Sequence, residues 1–350
     1  MRKLTVLASL LLVSMGASAQ YEIRMPTGSV SDAATTESTT SAAAPMPEGR
    51  LEAGENHVSF IGTGGVWAAG RNDIGMLGVG STTQYPYFFR AAGVSTDNAH
   101  VSTGGYFSYL RKTNNTYWST GYHLQGALGL GGAADVVTSY TQVIALGADV
   151  KKLEHGTFFS AALKTDGSVL VTGQNENGQL GLGHNSNIDS LVPSPSAGTD
   201  NADLSSSHVF ALKKDGTVWG AGLNTDGQLG LGDNVNHNSF TEVTDLGTNV
   251  RSIYLGVYHS VAIKTDGSIW AAGSNAEGQL GLGNNASHNT FTEVTDIGTY
   301  IKSLVAGGFS TYVVKNDGTL WVIGGNSNGQ LGISTTANIN TWAQVPGVLI

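Results

Sequence analysis

The chain has no cysteine among its 350 residues. That excludes disulfides, zinc–thiolate sites, a cysteine nucleophile and a lipid-modified cysteine, and it leaves the redox compartment open. Charged residues make up only 12 % of the sequence, and Lys and Arg nowhere form a run. A phosphate backbone or an anionic membrane is therefore not an expected partner. The one sustained apolar run, Leu4 to Val13, is too short for a membrane span, so no direct membrane insertion is expected. Beyond it no long segment has helical periodicity. Neither a Gly-x-Ser-x-Gly elbow nor a His-Glu-x-x-His helix occurs.

Glycine is abundant, at 49 residues, and it is periodic. The phrase Gly-x-Leu-Gly-x-Gly begins at Gly75, Gly126, Gly178, Gly227 and Gly278, and a degenerate copy begins at Gly329, with Ser334 in place of the last glycine. The spacings are 51, 52, 49, 51 and 51 residues. One structural unit used six times is implied. Its leucines Leu77, Leu128, Leu180, Leu229, Leu280 and Leu331 would plug gaps between units. The Gln279 amide can satisfy backbone groups of a tight loop. A phosphate-cradling role would need a helix after each loop, and none is indicated.

The unit also carries an Asp-Gly hairpin signal, as in Lys164-Thr165-Asp166-Gly167, Lys213-Lys214-Asp215-Gly216, Lys264-Thr265-Asp266-Gly267 and Lys315-Asn316-Asp317-Gly318. Two further β-rich runs complete it, Phe291 to Thr295 and Ile301 to Val305. Four short strands per unit, arranged in a ring, predict an all-β propeller.

Gly273 to Gly283 and Gly222 to Gly232, with Asn275 and Asn224 in place, resemble the repeat of the regulator-of-chromosome-condensation family, Gly-x-Asn-x-x-Gly-Gln-Leu-Gly-x-Gly. The resemblance covers about residues 51–350 and looks like that of a secreted bacterial-type member. It implies a β-propeller, usually of seven blades. Here the period gives six, with seven the alternative. Leu51 to Gly54 resembles the interior of a unit, and Trp342 to Val345 resembles Phe291 to Val294. The ring is thus expected to close by joining the N- and C-terminal strands in one blade.

Residues 1–19 read as a secretory signal: Arg2 and Lys3, the apolar run, then Ala17-Ser18-Ala19 before Gln20. Cleavage would remove Arg2 and Lys3, leaving 15 basic and 26 acidic residues, net −11. Residues 20–50 are rich in Ser, Thr and Ala and read as a disordered tether. Within them Tyr21, Ile23 and Met25 alternate with polar residues. This stretch is either a frayed terminus or a strand that pairs with an edge. Residues 51–350 form the propeller.

Candidate chemistry is sparse. His57, His208 and His259 share a repeat slot that elsewhere holds Tyr106, Phe159 and Ser310, which indicates packing, not ligation. His237 and His288 recur in polar loops of adjacent units that splay apart, so no zinc site is expected. Those loops hold one carboxylate, Asp233, and lack the EF-hand spacing for calcium. No metal, cofactor or catalytic residue is assigned. Trp67, Trp118, Trp219, Trp270 and Trp321, with Leu170 in the remaining unit, occupy one position and suggest inter-blade packing. Tyr85, Tyr87, His237 and His288 are the candidate partner contacts.

The expected function is a secreted scaffold, in the medium, at the cell surface or in the periplasm, that recognises a protein or a glycan through one loop face. Two alternatives stand beside it. An extracellular polysaccharide-acting enzyme could draw its carboxylate pair from distant blades. Guanine-nucleotide exchange, known in the family, is opposed by the signal, the acidic balance and the lack of a basic tail. The family's photoreceptor phrase Gly-Trp-Arg-His-Thr does not occur.

Overall fold

The structure, a computed structural model, describes residues 51–350 apart from Thr63, Ala133, Ser206 and Ser207. The signal and tether expected at 1–50 lie outside the described residues.

Six sheets of four antiparallel strands follow one another along the chain. They are blade 1 (51–90), blade 2 (98–142), blade 3 (150–193), blade 4 (201–242), blade 5 (250–294) and blade 6 (301–349). Blade 5 is representative, with strands Val250–Leu255, His259–Lys264, Ile269–Gly273 and His288–Val294 paired in chain order. The first strands of neighbouring blades touch, whereas the fourth strands lie outermost.

Each strand is short because a turn residue ends it. Between the second and third strands of blade 5, the Asp266 carboxylate accepts from the backbone N–H and hydroxyl of Ser268, at 2.9 and 2.7 Å. Gly267 then takes φ +87°, a conformation that costs side-chain-bearing residues energy. The donors of Ser268 also hold the Asp266 carboxyl below its ordinary range. Asp166, Asp215 and Asp317 make the same turn. The tryptophan that follows donates its indole N–H to the turn hydroxyl in blades 2, 4, 5 and 6. Its ring is covered by the lysine that opens the turn, 3.9 Å from the Trp270 centroid in the case of Lys264.

The core is a series of junctions between blades. Phe107, Tyr109 and Leu128 of blade 2 pack with Ala162 and Leu153 of blade 3. Phe210 and Leu229 of blade 4 meet Ala262 and Phe291 of blade 5, with the two phenyl rings edge to face at 6.4 Å. The repeat-position tryptophans Trp118, Trp219, Trp270 and Trp321 join the junction with the preceding blade.

One expectation about closure is corrected. The first strand, Leu51–Ala53, pairs with His57–Gly62 in blade 1, and the last, Ile339–Leu349, pairs with Thr319–Gly324 in blade 6. The terminal strands do not share a blade. The two ends align with repeat positions as expected, but the structural unit begins at the first strand, so all six units are whole. Pairing with the adjacent hairpin closes a loop of a few residues, which costs far less entropy than joining the ends of the chain.

Candidate functional site

In a four-stranded meander alternate connections emerge at opposite ends. The turns between first and second strands and the glycine phrases therefore share one face, here the phrase face. The Asp-Gly hairpins and the blade-to-blade links share the other.

The phrase face is built on a buried asparagine. The Asn275 amide donates to Asn284 O and Ala286 O at 2.9 and 3.0 Å, and its Oδ1 accepts from Leu280 N at 2.9 Å. Asn72, Asn175, Asn224 and Asn326 also hold their loops. In blade 2 His123 replaces it, with Nδ1 facing Leu128 N at 3.4 Å. The Gln279 side-chain oxygen accepts from Glu277 N at 3.1 Å, and Gln179, Gln228 and Gln330 do the same in their loops. The phrase glycines Gly75, Gly126, Gly178, Gly227, Gly278 and Gly329 all have positive φ. The leucines Leu77, Leu128, Leu180, Leu229, Leu280 and Leu331 are all buried. These residues shape the loops and leave their tips free.

The histidine slot is fully internal. His57 Nε2 lies 3.0 Å from Ser108 Oγ of the next blade, and that hydroxyl donates to Met76 O. His208 with Ser260, and His259 with Thr311, repeat the arrangement, each hydroxyl donating to a phrase carbonyl. Since the hydroxyl proton is committed to the carbonyl, Nε2 must carry the imidazole proton, and Nδ1 is left bare and buried. Burial depresses these groups to a pKa of about 4 for His57 and His259, and about 3 for His208. Ligation and acid–base chemistry are both closed to them. The register places Phe107, not Tyr106, in this slot in blade 2.

Tyr106 stands one residue earlier, on the phrase face. It stacks on Phe158 with centroids 4.9 Å apart and planes 4° apart, while Tyr122 meets Phe158 edge-on. The Arg71 guanidinium lies 5.3 Å above Tyr106. Across the face Tyr258 stacks on Phe309 at 5.3 Å, and Phe309 is 48 % exposed. These four aromatics take the same position in the turn before the second strand of blades 2, 3, 5 and 6. The turns crowd towards the axis: Thr157 of blade 3 donates to Glu55 of blade 1, past the turn of blade 2, at 3.3 Å. Sequence reasoning missed this cluster. The available signal is Gly-x-aromatic, in Gly104-x-Tyr106, Gly156-x-Phe158, Gly256-x-Tyr258 and Gly307-x-Phe309.

Charge is divided between the faces. The phrase-face loops hold Glu55, Asp73, Asp135, Glu176, Asp226, Asp233 and Glu277. Arg71 is the one Lys or Arg in these loops, and its Nε and Nη2 donate to the two carboxylate oxygens of Asp73, each at 2.7 Å. The remaining lysines and arginines of 51–350 stand at the hairpin end of the strands or in hairpin turns.

The four residues singled out from sequence do not form one cluster. Tyr85, His237 and His288 occupy the same repeat position, the start of the fourth strand, in blades 1, 4 and 5. Tyr85 is half-buried and stacked on Phe89 at 4.6 Å. His237 contacts Asp233 and Thr241, each at 3.2 Å, and His288 contacts Thr292. Tyr87 is 55 % exposed, on the outermost strand. Among the described residues no group of three or more metal-ligating side chains is found. A surface cavity lined by Gly129, Leu130, Gly131, Gln142, Ile144, Ala145 and Ser190 contains no carboxylate.

Comparison with known proteins gives a consistent result. The RCC1-like domain matches residues 43–348. The ultraviolet-B receptor UVR8 of Arabidopsis thaliana is 28 % identical over 306 residues, 84 % of this chain and 69 % of the receptor. The human X-linked retinitis pigmentosa GTPase regulator is 36 % identical over 92 residues, 26 % of this chain but only 9 % of that protein. Among solved structures, Prp20p of Saccharomyces cerevisiae superposes with a TM-score of 0.70 at 17 % identity, covering 85 % of this chain and 77 % of its own. Human WBSCR16 gives 0.65 at 20 % identity, covering 77 % and 73 %.

Proposed function

Because the chain belongs to the family of RCC1-like domains, whose propellers serve as protein-interaction scaffolds, we propose that it is a secreted, non-enzymatic binding protein that holds a basic protein partner on its phrase face. One observation carries the reading: that face combines half-exposed stacked aromatics near the axis with seven carboxylates and a single, already paired arginine. Aromatic anchors supply most of the energy in such contacts. Lysine or arginine from a partner can sit over the rings as Arg71 does over Tyr106. A one-signed field also speeds encounter with an oppositely charged surface. Secretion rests on the basic start, short apolar run and Ala-x-Ala ending of residues 1–19. A glycan ligand has weaker support, since nothing on this face favours a neutral polymer over a cationic one.

The test is differential capture from the surrounding medium and cell-surface fractions. The purified protein is compared with Tyr106→Ala/Phe309→Ala on the phrase face and Lys214→Glu on the hairpin face. We expect one retained protein, rich in Lys and Arg, that the first variant loses at least tenfold and the second keeps. Equal loss in both variants, or turnover of a polysaccharide without a retained protein, overturns the reading. Amino-terminal sequencing of the secreted protein should begin at Gln20.

A further inference from the structure

The two aromatic stacks of the phrase face are not equivalent. In blades 1 and 2 the residue after the third-strand glycine reaches over the turn of the next blade. After Gly70 it is Arg71, 5.3 Å above the Tyr106 ring of blade 2. After Gly121 it is Tyr122, edge-on to Phe158 of blade 3 at 5.7 Å. The chain thus caps the Tyr106–Phe158 stack with its own side chains. After Gly222 and Gly273 the same position holds Leu223 and Ser274, neither a cation nor an aromatic. Ser274 is too short to cover the Phe309 ring of blade 6. Phe309 is accordingly exposed, whereas Tyr106 and Phe158 are half-buried. Among the described residues Arg71 is the one cation lying over a phrase-face ring. The other four such cations are lysines that cover Trp118, Trp219, Trp270 and Trp321 beside the hairpins.

Charge divides the stacks in the same sense. Ile74, just before the phrase glycine of blade 1, packs in one apolar cluster with Tyr106. Blade 5 has Glu277 in that position. A Cβ built on Gly325 would lie 3.2 Å from the Phe309 Cβ and 3.7 Å from the Glu277 Cβ, so the stem of the carboxylate stands beside the ring. Asn338 Nδ2 donates to Glu277 Oε2, and no described group donates to Oε1. Blade 4 has Asp226 in the corresponding place next to the turn of Tyr258. The capped stack therefore comes with a guanidinium and its partner Asp73, and the open stack comes with carboxylates and no cation. Gly325 keeps the space between Phe309 and Glu277 clear. Its φ is not positive, so the backbone does not call for glycine there. What calls for it is room, because a Cβ would press on Phe309.

We propose that Phe309, backed by Tyr258 and flanked by Glu277, is a receptor for one arginine side chain of the partner. This rests on the reading of the phrase face as a protein-binding surface and narrows it to a single anchoring residue. The chain's own Arg71 shows what such a site holds. Its guanidinium lies over Tyr106 while Nε and Nη2 donate to Asp73. At the open stack the partner's guanidinium would lie over Phe309 and donate to Glu277 Oε1. Arginine suits this pairing better than lysine. A planar guanidinium can stack by its face and donate from its edge at the same time, whereas an ammonium is compact and strongly hydrated and gives up more water to reach a ring. Tyr258 stacks behind Phe309 with centroids 5.3 Å apart and planes 29° apart, which holds the ring in place. A neutral ligand would use the ring and leave the carboxylate unanswered.

The probe is the peptide acetyl-Gly-Arg-Gly-amide, observed by NMR as the purified protein is titrated in. The arginine δ-methylene protons should shift upfield in the ring current of Phe309. The same peptide with lysine should bind about fivefold more weakly, and with citrulline about tenfold more weakly. Glu277→Gln and Phe309→Ala should each weaken the arginine peptide about tenfold. Tyr106→Ala, at the capped stack, should leave its affinity unchanged. Equal binding of the arginine and lysine peptides overturns the proposal, and so does equal binding of the arginine and citrulline peptides. An affinity that falls in Tyr106→Ala as far as in Phe309→Ala overturns it too. None of these measurements needs the natural partner, so the two readings fail separately. Capture of a basic protein by Glu277→Gln as fully as by the parent, with no preference for the arginine peptide, removes the receptor and leaves the phrase-face reading standing. Selective binding of the arginine peptide with no protein captured removes that reading alone.

Discussion

His57, His208 and His259 show how one residue sets a pH limit. Each is neutral, buried and committed to a cross-blade hydroxyl, with a pKa of about 3 to 4. His155, stacked on Tyr109 at 4.8 Å, is depressed to about 3 in the same way. The unfolded chain takes up these protons near pH 6.5, but the folded chain does not. Their contribution to stability is thus complete above pH 6.5, falls as the pH drops below it, and levels off near pH 3 to 4. The loss amounts to about 2 kcal/mol per histidine by pH 5. Urea titrations at pH 7.5 and 5 should show it. Phenylalanine already fills the slot as Phe107 and Phe159, so His57→Phe/His208→Phe/His259→Phe should flatten most of the decline. An unchanged slope would remove the histidines from the account. Ser334 offers a second residue-scale case. It holds φ +63° where the other phrases have glycine, and Ser334→Gly should raise stability by roughly 0.5–1 kcal/mol.

At the scale of the element, the phrase loop depends on its asparagine more than on its glycines alone. Asn275→Ala would strand the buried Leu280 amide and remove the donor from two partly buried carbonyls. We expect a loss of roughly 2–4 kcal/mol by urea unfolding. Asn284→Ala, at an exposed position of the same loop, should cost less than about 1 kcal/mol. Much of this element was legible in advance. The six phrases and the Asp-Gly turns are local signals, each readable within ten residues. The phase of the unit was not, because Leu51 to Gly54 resembles a unit's interior whether the first strand opens that unit or completes another. The aromatic pairs Tyr106-Phe107 and Phe158-Phe159 defeated the register in a similar way. A period of about 51 cannot decide which neighbour occupies the internal slot. The deciding feature is steric. Gly104 and Gly156 stand three residues before Phe107 and Phe159, and a Cβ on either would run into that ring. The face cluster went unread for the same reason, since Tyr106, Phe158, Tyr258 and Phe309 come together only once the turns converge.

For the molecule as a whole, the division of charge makes a measurable claim. Partner binding through the phrase face should weaken steeply with salt, about tenfold or more between 50 and 200 mM, chiefly through slower association. The Lys214→Glu variant should follow the same curve. A partner held equally at both ionic strengths would point to a different surface. The blades also communicate along a polar seam: Asn238, Asn289 and Asn340 each donate to an asparagine of the preceding blade, Asn185, Asn234 and Asn285. Blades 4 and 5 repeat Phe-Thr-Glu-Val-Thr-Asp, at Phe240 to Asp245 and Phe291 to Asp296. Each wedge therefore presents its neighbour with an interchangeable socket. Excising residues 250–300 would bring Leu229 and its loop against Trp342 in the place vacated by Phe291. A polypeptide made of such couplings can gain or lose a wedge by duplication or deletion without redesigning any seam, and the number of wedges becomes a quantity that selection can adjust independently of the fold.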